Sequence, residues 1–199
     1  MTQSVALPVR EQPYYQAFLL SLFALFVCGA VAAFSAMTKD AILARGIEDT
    51  QRQLVQVLPE SLYDNVPSKE ELTLTMEGKP VHFFRARQGG VGSGVALFAE
   101  TNGYSGVIRI LLGIDANGTL TGVRVLSHTE TPGLGDAIDL SKSQWVLSFN
   151  GKSLQQPNEK GWHVKKDGGQ FDSFTGATIT PRAVVKGVHE ALQLFQRHQ

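Results

Sequence analysis

The residues most able to do chemistry lie near the C-terminus. In Asp172-Ser173-Phe174-Thr175-Gly176-Ala177-Thr178-Ile179-Thr180-Pro181 four hydroxyls crowd around a Gly-Ala pair. A periodic apolar run follows, so the segment stands at the entry to a helix. A helix N-terminus presents amide hydrogens without intrahelical partners and a positive partial charge, which together hold a phosphate without a basic side chain. Glycine and alanine let such a group approach the backbone. The same residues also fit an ordinary helix entry in which Ser173, Thr175 or Thr180 caps amides, and local physics leaves both readings open.

A second cluster, His128-Thr129-Glu130-Thr131-Pro132-Gly133-Leu134-Gly135, reads as a turn stiffened by Pro132 and sharpened by Gly133. Glu130 and Thr131 there can hydrogen-bond the heteroatoms of a ring, although an ordinary polar turn explains the same residues. Trp145 and Phe149 suit either the face of a planar ligand or the core. Gly89-Gly90-Val91-Gly92-Ser93-Gly94 lacks the Lys-Ser/Thr ending of a phosphate loop and lies between strand-like runs, so it reads as a hairpin connection. A hydrolase reading finds no Gly-x-Ser-x-Gly elbow and no His and acid partners in motif context.

Composition narrows the chemistry further. The single cysteine, Cys28, sits in an apolar run, which excludes an intramolecular disulfide framework, a cysteine-ligated iron-sulfur cluster and a cysteine-rich zinc site. The five histidines lack the i, i+4 spacing that sets two metal ligands on one helix face. Any redox chemistry must then come from another group. Lysine and arginine number 18, as do aspartate and glutamate, without long blocks of either sign, so no nucleic-acid footprint is present.

The elements that position these residues follow from periodicity. No charged side chain occurs from Gln12 to Thr38, and Ala17 to Met37 is almost wholly apolar, matching the roughly 20 residues that cross a bilayer. This run exceeds the roughly 7–15 apolar residues of a signal peptide, so it predicts a retained anchor. Arg10 before the span and Lys39 and Arg45 after it leave the sidedness open. Ile42, Ile47, Leu54 and Leu58 continue at helical intervals up to Pro59. Strand-like runs follow at Leu72 to Met76, Val81 to Ala86, Val95 to Ala99, Gly106 to Ile114 and Thr119 to Ser127, the last two joined by the turn dipeptide Asn117-Gly118. Val184, Val185, Val188, Ala191, Leu192 and Phe195 form one helical stripe, with Thr180 expected as N-cap and Pro181 at the first helical position. The reading is α+β: an N-terminal tail (1–13), one transmembrane helix (14–38), a helical stalk and connector (39–68), and a mixed α+β domain with an antiparallel sheet (69–199).

Asp172 through Thr178 resembles the flavinylation signature of the FMN-binding domain family: an aspartate, two variable residues, Ser or Thr, then Gly-Ala-Thr. The resemblance implies an FMN held by a phosphoester to Thr178, made by a flavin transferase with FAD as donor, with Thr175, Gly176 and Ala177 in the same site. The segment from His128 to Gly135 resembles the family's ring-lining loop, which implies flavin contacts from Glu130, Thr131 and Leu134. With Gly103-Tyr104-Ser105-Gly106, Trp145 and the approach from Lys165 to Gln170, the likeness covers about the last half of the chain. Together with the single span it is similar to the G subunits of Rnf (Rsx) electron-transport complexes. That likeness implies an FMN-binding domain that relays electrons between neighbouring redox centres, ferredoxin- and NAD-linked and ion-coupled, or that keeps a redox-sensing regulator reduced, with no separate substrate turned over on this subunit. It further implies other Rnf/Rsx subunits, the flavin transferase and membrane lipid as partners, and a single-pass place in the bacterial inner membrane with the C-terminal domain periplasmic. The C subunit of the sodium-pumping NADH:quinone reductase shares the anchor and signature but is usually longer. A flavin-free, membrane-anchored assembly module is the alternative from another class.

Overall fold

A computed structural model describes residues 13–76 and 79–198. The expected N-terminal tail, Pro13 apart, lies outside the described residues. Helix α1 runs from Pro13 to Val55. Its apolar part, Pro13–Lys39, has 27 residues, about 40 Å at a rise of 1.5 Å per residue, against a hydrocarbon core of about 30 Å. Phe18, Phe26 and Phe34 are all more than 60% exposed, and no residue of the most apolar stretch is buried. Water does not tolerate so large a contiguous apolar surface. Length and composition therefore suit this helix to crossing a membrane.

The chain divides into two compact units between Gly46 and Ile47. The spacing of Leu54 and Leu58 predicts helix up to Pro59, but α1 stops at Val55. There the ladder tightens: Gln56 N–H donates to the Gln53 carbonyl at 3.1 Å, and the Val57 and Leu58 amides both donate to that of Leu54, at 3.1 and 2.8 Å. Leu58 precedes a proline, which disfavours helical backbone at that position, so the helix unwinds before the proline. Leu54, Val57 and Leu58 are nonetheless all buried.

Five strands follow in an antiparallel meander: β1 (Glu71–Met76), β2 (Lys79–Gln88), β3 (Val91–Asn102), β4 (Val107–Asp115) and β5 (Leu120–Ser127). Strand β3 outruns the expected Val95 to Ala99 at both ends. Its pairing with β4, from Gly94 opposite Asp115 to Asn102 opposite Val107, supplies hydrogen bonds that local propensity does not register. The β4–β5 hairpin turns at Asn117-Gly118 as the sequence predicts. Asp115 Oδ1 accepts from the amides of Asn117 and Thr119 at 2.9 and 2.8 Å, and Gly118 takes the positive φ of 80° that the turn needs.

Both faces of the sheet are covered. Along β4, Ile108, Ile110, Leu112 and Ile114 enter the larger core, while Leu111 points to the opposite face, as the two-residue period of a strand requires. Full burial of each such side chain contributes roughly 1.5–3 kcal/mol relative to leaving it in water. The larger core is closed by helix α2 (Ile179–Gln196) through Val184, Val185, Val188, Ala191 and Leu192, with Phe195 packed at its margin. On the other face Leu54, Val57 and Leu58 meet Phe84, Ala86, Ala96 and Leu111. A Cβ on Gly122 would lie 2.8 Å from Val57 Cα, so the chain here rests directly on sheet backbone. Between β5 and α2 the chain has short 3-10 turns and two isolated β-bridges, and this region supplies most of the site.

Candidate functional site

The C-terminal signature is fixed from behind by aromatic packing. Phe149, Trp162 and Phe171 are buried in mutual contact, with Phe149 and Phe171 stacked at 4.6 Å. Trp145, 8% exposed, packs on Phe149 and Phe174 and donates from Nε1 to the Asp172 carbonyl at 2.8 Å. Trp145 and Phe149 thus belong to the core and do not line the cleft described below. After Asp172 the chain makes a β-turn over Phe174–Ala177, closed by the Ala177 amide donating to the Phe174 carbonyl at 3.2 Å. Gly176 occupies its third position with φ 82°, a conformation that type II turns reserve for glycine.

This turn delivers Thr178 to the N-cap of α2. Thr178 is half-buried, and no side chain caps the helix. The expectation of Thr180 as N-cap is overturned: Thr180 lies inside the first turn, 1% exposed, and its hydroxyl donates to Glu130 Oε2. The helix starts at Ile179, two residues before the Pro181 that the Thr-Pro pattern predicts as its first position. The arrangement leaves the first-turn amides of α2 without a side-chain cap, which is what an anion at this end would use. The flanking cations are already paired: Lys165 Nζ with Asp172 at 2.6 Å, and Arg182 in a fork to Asp167 at 2.6 and 2.8 Å. The Arg182 hydrogen bond holds the Asp167 carboxyl below the usual carboxylate range and raises Arg182 in return.

The second cluster follows β5. The Thr131 carbonyl accepts from the Leu134 and Gly135 amides at 3.2 and 3.1 Å, and Gly133 N–H donates to Asp136 Oδ1 at 2.8 Å. This tight loop leaves Thr131 exposed and Leu134 45% exposed. Glu130 differs, being 4% exposed, with Oε1 accepting from the Ser105 amide at 2.9 Å and Oε2 from Thr180.

The two clusters and the Gly103–Gly106 turn meet at one cleft of about 400 Å³, lined by Tyr104, Glu130, Thr131, Leu134, Gly135 and the run Gly176–Thr180. Such a volume lies in the roughly 300–1,000 Å³ range of small-molecule sites. Of the residues singled out in the sequence, Glu130, Thr131, Leu134, Gly176, Ala177 and Thr178 line it, whereas Thr175 does not. A Cβ on Gly176 would lie 3.4 Å from Leu134 Cδ2, so the signature turn and the loop are near neighbours. Gly135, the last residue of the loop from His128, also lines the cleft, and Tyr104, Ile179 and Thr180 are further lining residues that sequence reasoning did not assign to the site; Tyr104 was signalled only by its place in Gly103-Tyr104-Ser105-Gly106. The residues present fit a flavin phosphate: an uncapped helix N-terminus, a hydroxyl at that terminus, and a cleft lined by both apolar and polar residues.

Comparisons with known proteins point to the same region of the chain. The FMN-binding domain family matches residues 103–193, which contain the whole cleft. The G subunit of the ion-translocating oxidoreductase complex of Cereibacter sphaeroides is 46% identical over 191 residues, covering 96% of this chain and 87% of that protein. The corresponding G subunit of Pseudomonas aeruginosa is 47% identical over 196 residues, covering 96% and 92%. The C subunit of a Na(+)-translocating NADH-quinone reductase from Parabacteroides distasonis shares the fold, with a TM-score of 0.51 at 20% identity over 77% of this chain and 95% of that one. The chain belongs to the family of ion-translocating oxidoreductase complex G subunits, with an FMN-binding domain in its C-terminal half.

Proposed function

We propose that this chain is the FMN-carrying electron-transfer subunit of a membrane-bound, ion-translocating oxidoreductase of the Rnf type, with its flavin joined by a phosphoester to Thr178. The observation that carries the reading is the position of Thr178, at the uncapped N-terminus of α2 and on the wall of the cleft. In the attachment the Thr178 hydroxyl oxygen bonds to the flavin-side phosphorus of FAD, the bond between the two phosphates breaks, adenylate leaves with that electron pair, and the hydroxyl proton is released. A flavin transferase supplies the catalysis. Bound FMN supplies reversible electron uptake and release.

The chain's own residues bind and orient. The amides and dipole of α2 would hold the phosphate charge, Gly176 and Ala177 would keep the approach open, and Thr131 and Leu134 would contact the ring. The helix from Pro13 to Lys39 anchors the protein in the bacterial inner membrane as a single pass, with the flavin domain on the periplasmic side and the other members of the complex as its redox partners. The likeness to a quinone-reductase C subunit shows a shared fold and gives that alternative no weight against the much closer G subunits. Co-expression with a flavin transferase tests the reading: wild type should show flavin fluorescence in a denaturing gel, and peptide mass spectrometry should place the adduct on Thr178. Flavin mapped to another residue, or retained covalently in Thr178→Val, would refute the assignment.

A further inference from the structure

Glu130 is the most deeply buried carboxylate on the cleft wall, and the electron-transfer reading gives it no task beyond a ring contact. Its carboxylate is committed elsewhere. Oε1 accepts from the Ser105 amide at 2.9 Å and Oε2 from the Thr180 hydroxyl, so one side chain ties the turn between β3 and β4 to the first turn of α2. These partners come from distant parts of the chain, 25 and 50 residues away in sequence. The backbone has been cleared to admit the group. A Cβ on Gly103 would overlap Glu130 Oε1, and one on Gly135 would lie 2.9 Å from Glu130 Cβ and 3.0 Å from Thr180 Oγ1.

Resting on the flavin-attachment reading, we infer that Glu130 is a positioning residue for attachment, which sets Thr178 against the incoming phosphate by clamping Thr180 two residues further along the same helical turn. A buried carboxylate with only one of its two partners is costly, so the clamp holds as a unit. Rotation of the first turn about the α2 axis would carry the Thr178 hydroxyl off the cleft wall, and the Thr180–Glu130 bond opposes that rotation. The same bond keeps the Thr180 hydroxyl from competing with Thr178 for the phosphorus.

Clamping and tuning are separable at this position. Glutamine at position 130 preserves both bonds, since its carbonyl accepts from Ser105 and its amide donates to a hydroxyl that can rotate to accept. A residue acting on the ring through its charge would not survive that change.

The test uses full-length protein in detergent, with purified flavin transferase and FAD, and measures the rate of covalent flavin incorporation by mass spectrometry. Circular dichroism checks the fold of each variant. Glu130→Ala and Thr180→Val should slow incorporation about tenfold or more, since a misplacement of about 1 Å can cost on the order of 100-fold. Glu130→Gln and Thr180→Ser should recover most of the lost rate, and the double variant Glu130→Ala/Thr180→Val should be no slower than the worse single one, as expected for partners in one unit. If Glu130→Ala does not fold, the contrast between Thr180→Val and Thr180→Ser carries the same decision. Wild-type rates in folded Glu130→Ala, or Thr180→Ser as slow as Thr180→Val, would overturn the clamp while leaving the attachment site intact. Wild type that takes no flavin on Thr178 would overturn the attachment reading and the clamp with it.

Discussion

Two threonines in one helical turn should give opposite phenotypes when each is changed to valine. The substitution keeps size and β-branching and removes only the hydroxyl. Thr178 is half-buried and its side chain makes no capping bond, so its hydroxyl contributes little to folding. Thr178→Val should stay within about 0.5 kcal/mol of wild type, the range of substitutions that touch no special feature. Thr180 is 1% exposed and donates to a buried carboxylate. Hydrogen bonds to charged groups are worth roughly 1.5–3 kcal/mol, so Thr180→Val should cost about that much. For a domain of this size each kcal/mol lowers the melting temperature by roughly 2–4 °C, which separates a shift of at most about 2 °C from one of roughly 3–12 °C. The assay is thermal unfolding followed by circular dichroism on protein produced without flavin transferase, so that no flavin contributes. Thr178→Val should melt with wild type yet accept no flavin, and Thr180→Val should melt lower yet keep an acceptor. Equal melting of the two variants, or the reverse order, would refute the assignment of their roles.

Trp145→Phe keeps an aromatic ring but removes the donor to the Asp172 carbonyl; it should cost about 1 kcal/mol, a typical net hydrogen bond, read by denaturant unfolding. The Asp167 carboxyl is held low by Arg182, so their pairing adds stability above the ordinary carboxylate range that is lost as pH falls through the lowered value; Arg182→Ala should raise the Asp167 titration seen by NMR while changing the melting temperature little, since the pair is exposed. Deletion of residues before Lys39 should release a soluble chain that still accepts flavin, whereas carbonate should leave the full-length chain in the membrane fraction. Protease added to spheroplasts should digest the flavin domain, and protection of that domain would contradict the periplasmic placement.

The parts of the fold legible in the sequence were those with a local period. Alternation along Ile108, Ile110, Leu112 and Ile114 gave β4, Asn117-Gly118 gave the hairpin, and the stripe from Val184 to Phe195 gave α2 and the face it buries. The end of α1 was misplaced because Leu54 and Leu58 are buried on the same side whether or not the chain between them is helical. The region from His128 to Thr178 carries no period at all. It is held by bonds such as Trp145 to the Asp172 carbonyl and Trp162 Nε1 to the Ser153 carbonyl at 3.2 Å, whose partners local sequence cannot pair. The same blindness explains Thr180, where Thr-Pro is a sound cap signal and the competing partner, Glu130, lies 50 residues away.

Geometry also separates the four hydroxyls that local physics left open and of which the resemblance singles out Thr178. Ser173 and Thr175 do not line the cleft, and Thr180 does but spends its hydroxyl on Glu130. Thr178 lines the cleft and stands at the positive end of α2. The proposed covalent tether there would answer a physical difficulty of this cleft. Its walls are open, with Tyr104 70% and Leu134 45% exposed, and none of the described residues lining it is a lysine or arginine that could clamp a phosphate. Helix amides and an open cleft would hold free FMN less tightly than an enclosed basic site, because less buried ligand surface offsets less of the lost translational and rotational freedom. The proposed phosphoester would remove dissociation from the problem and would let the ring edge stay exposed. An exposed edge is what an electron-transfer protein of this kind requires, since its redox partners must approach the flavin from outside the chain.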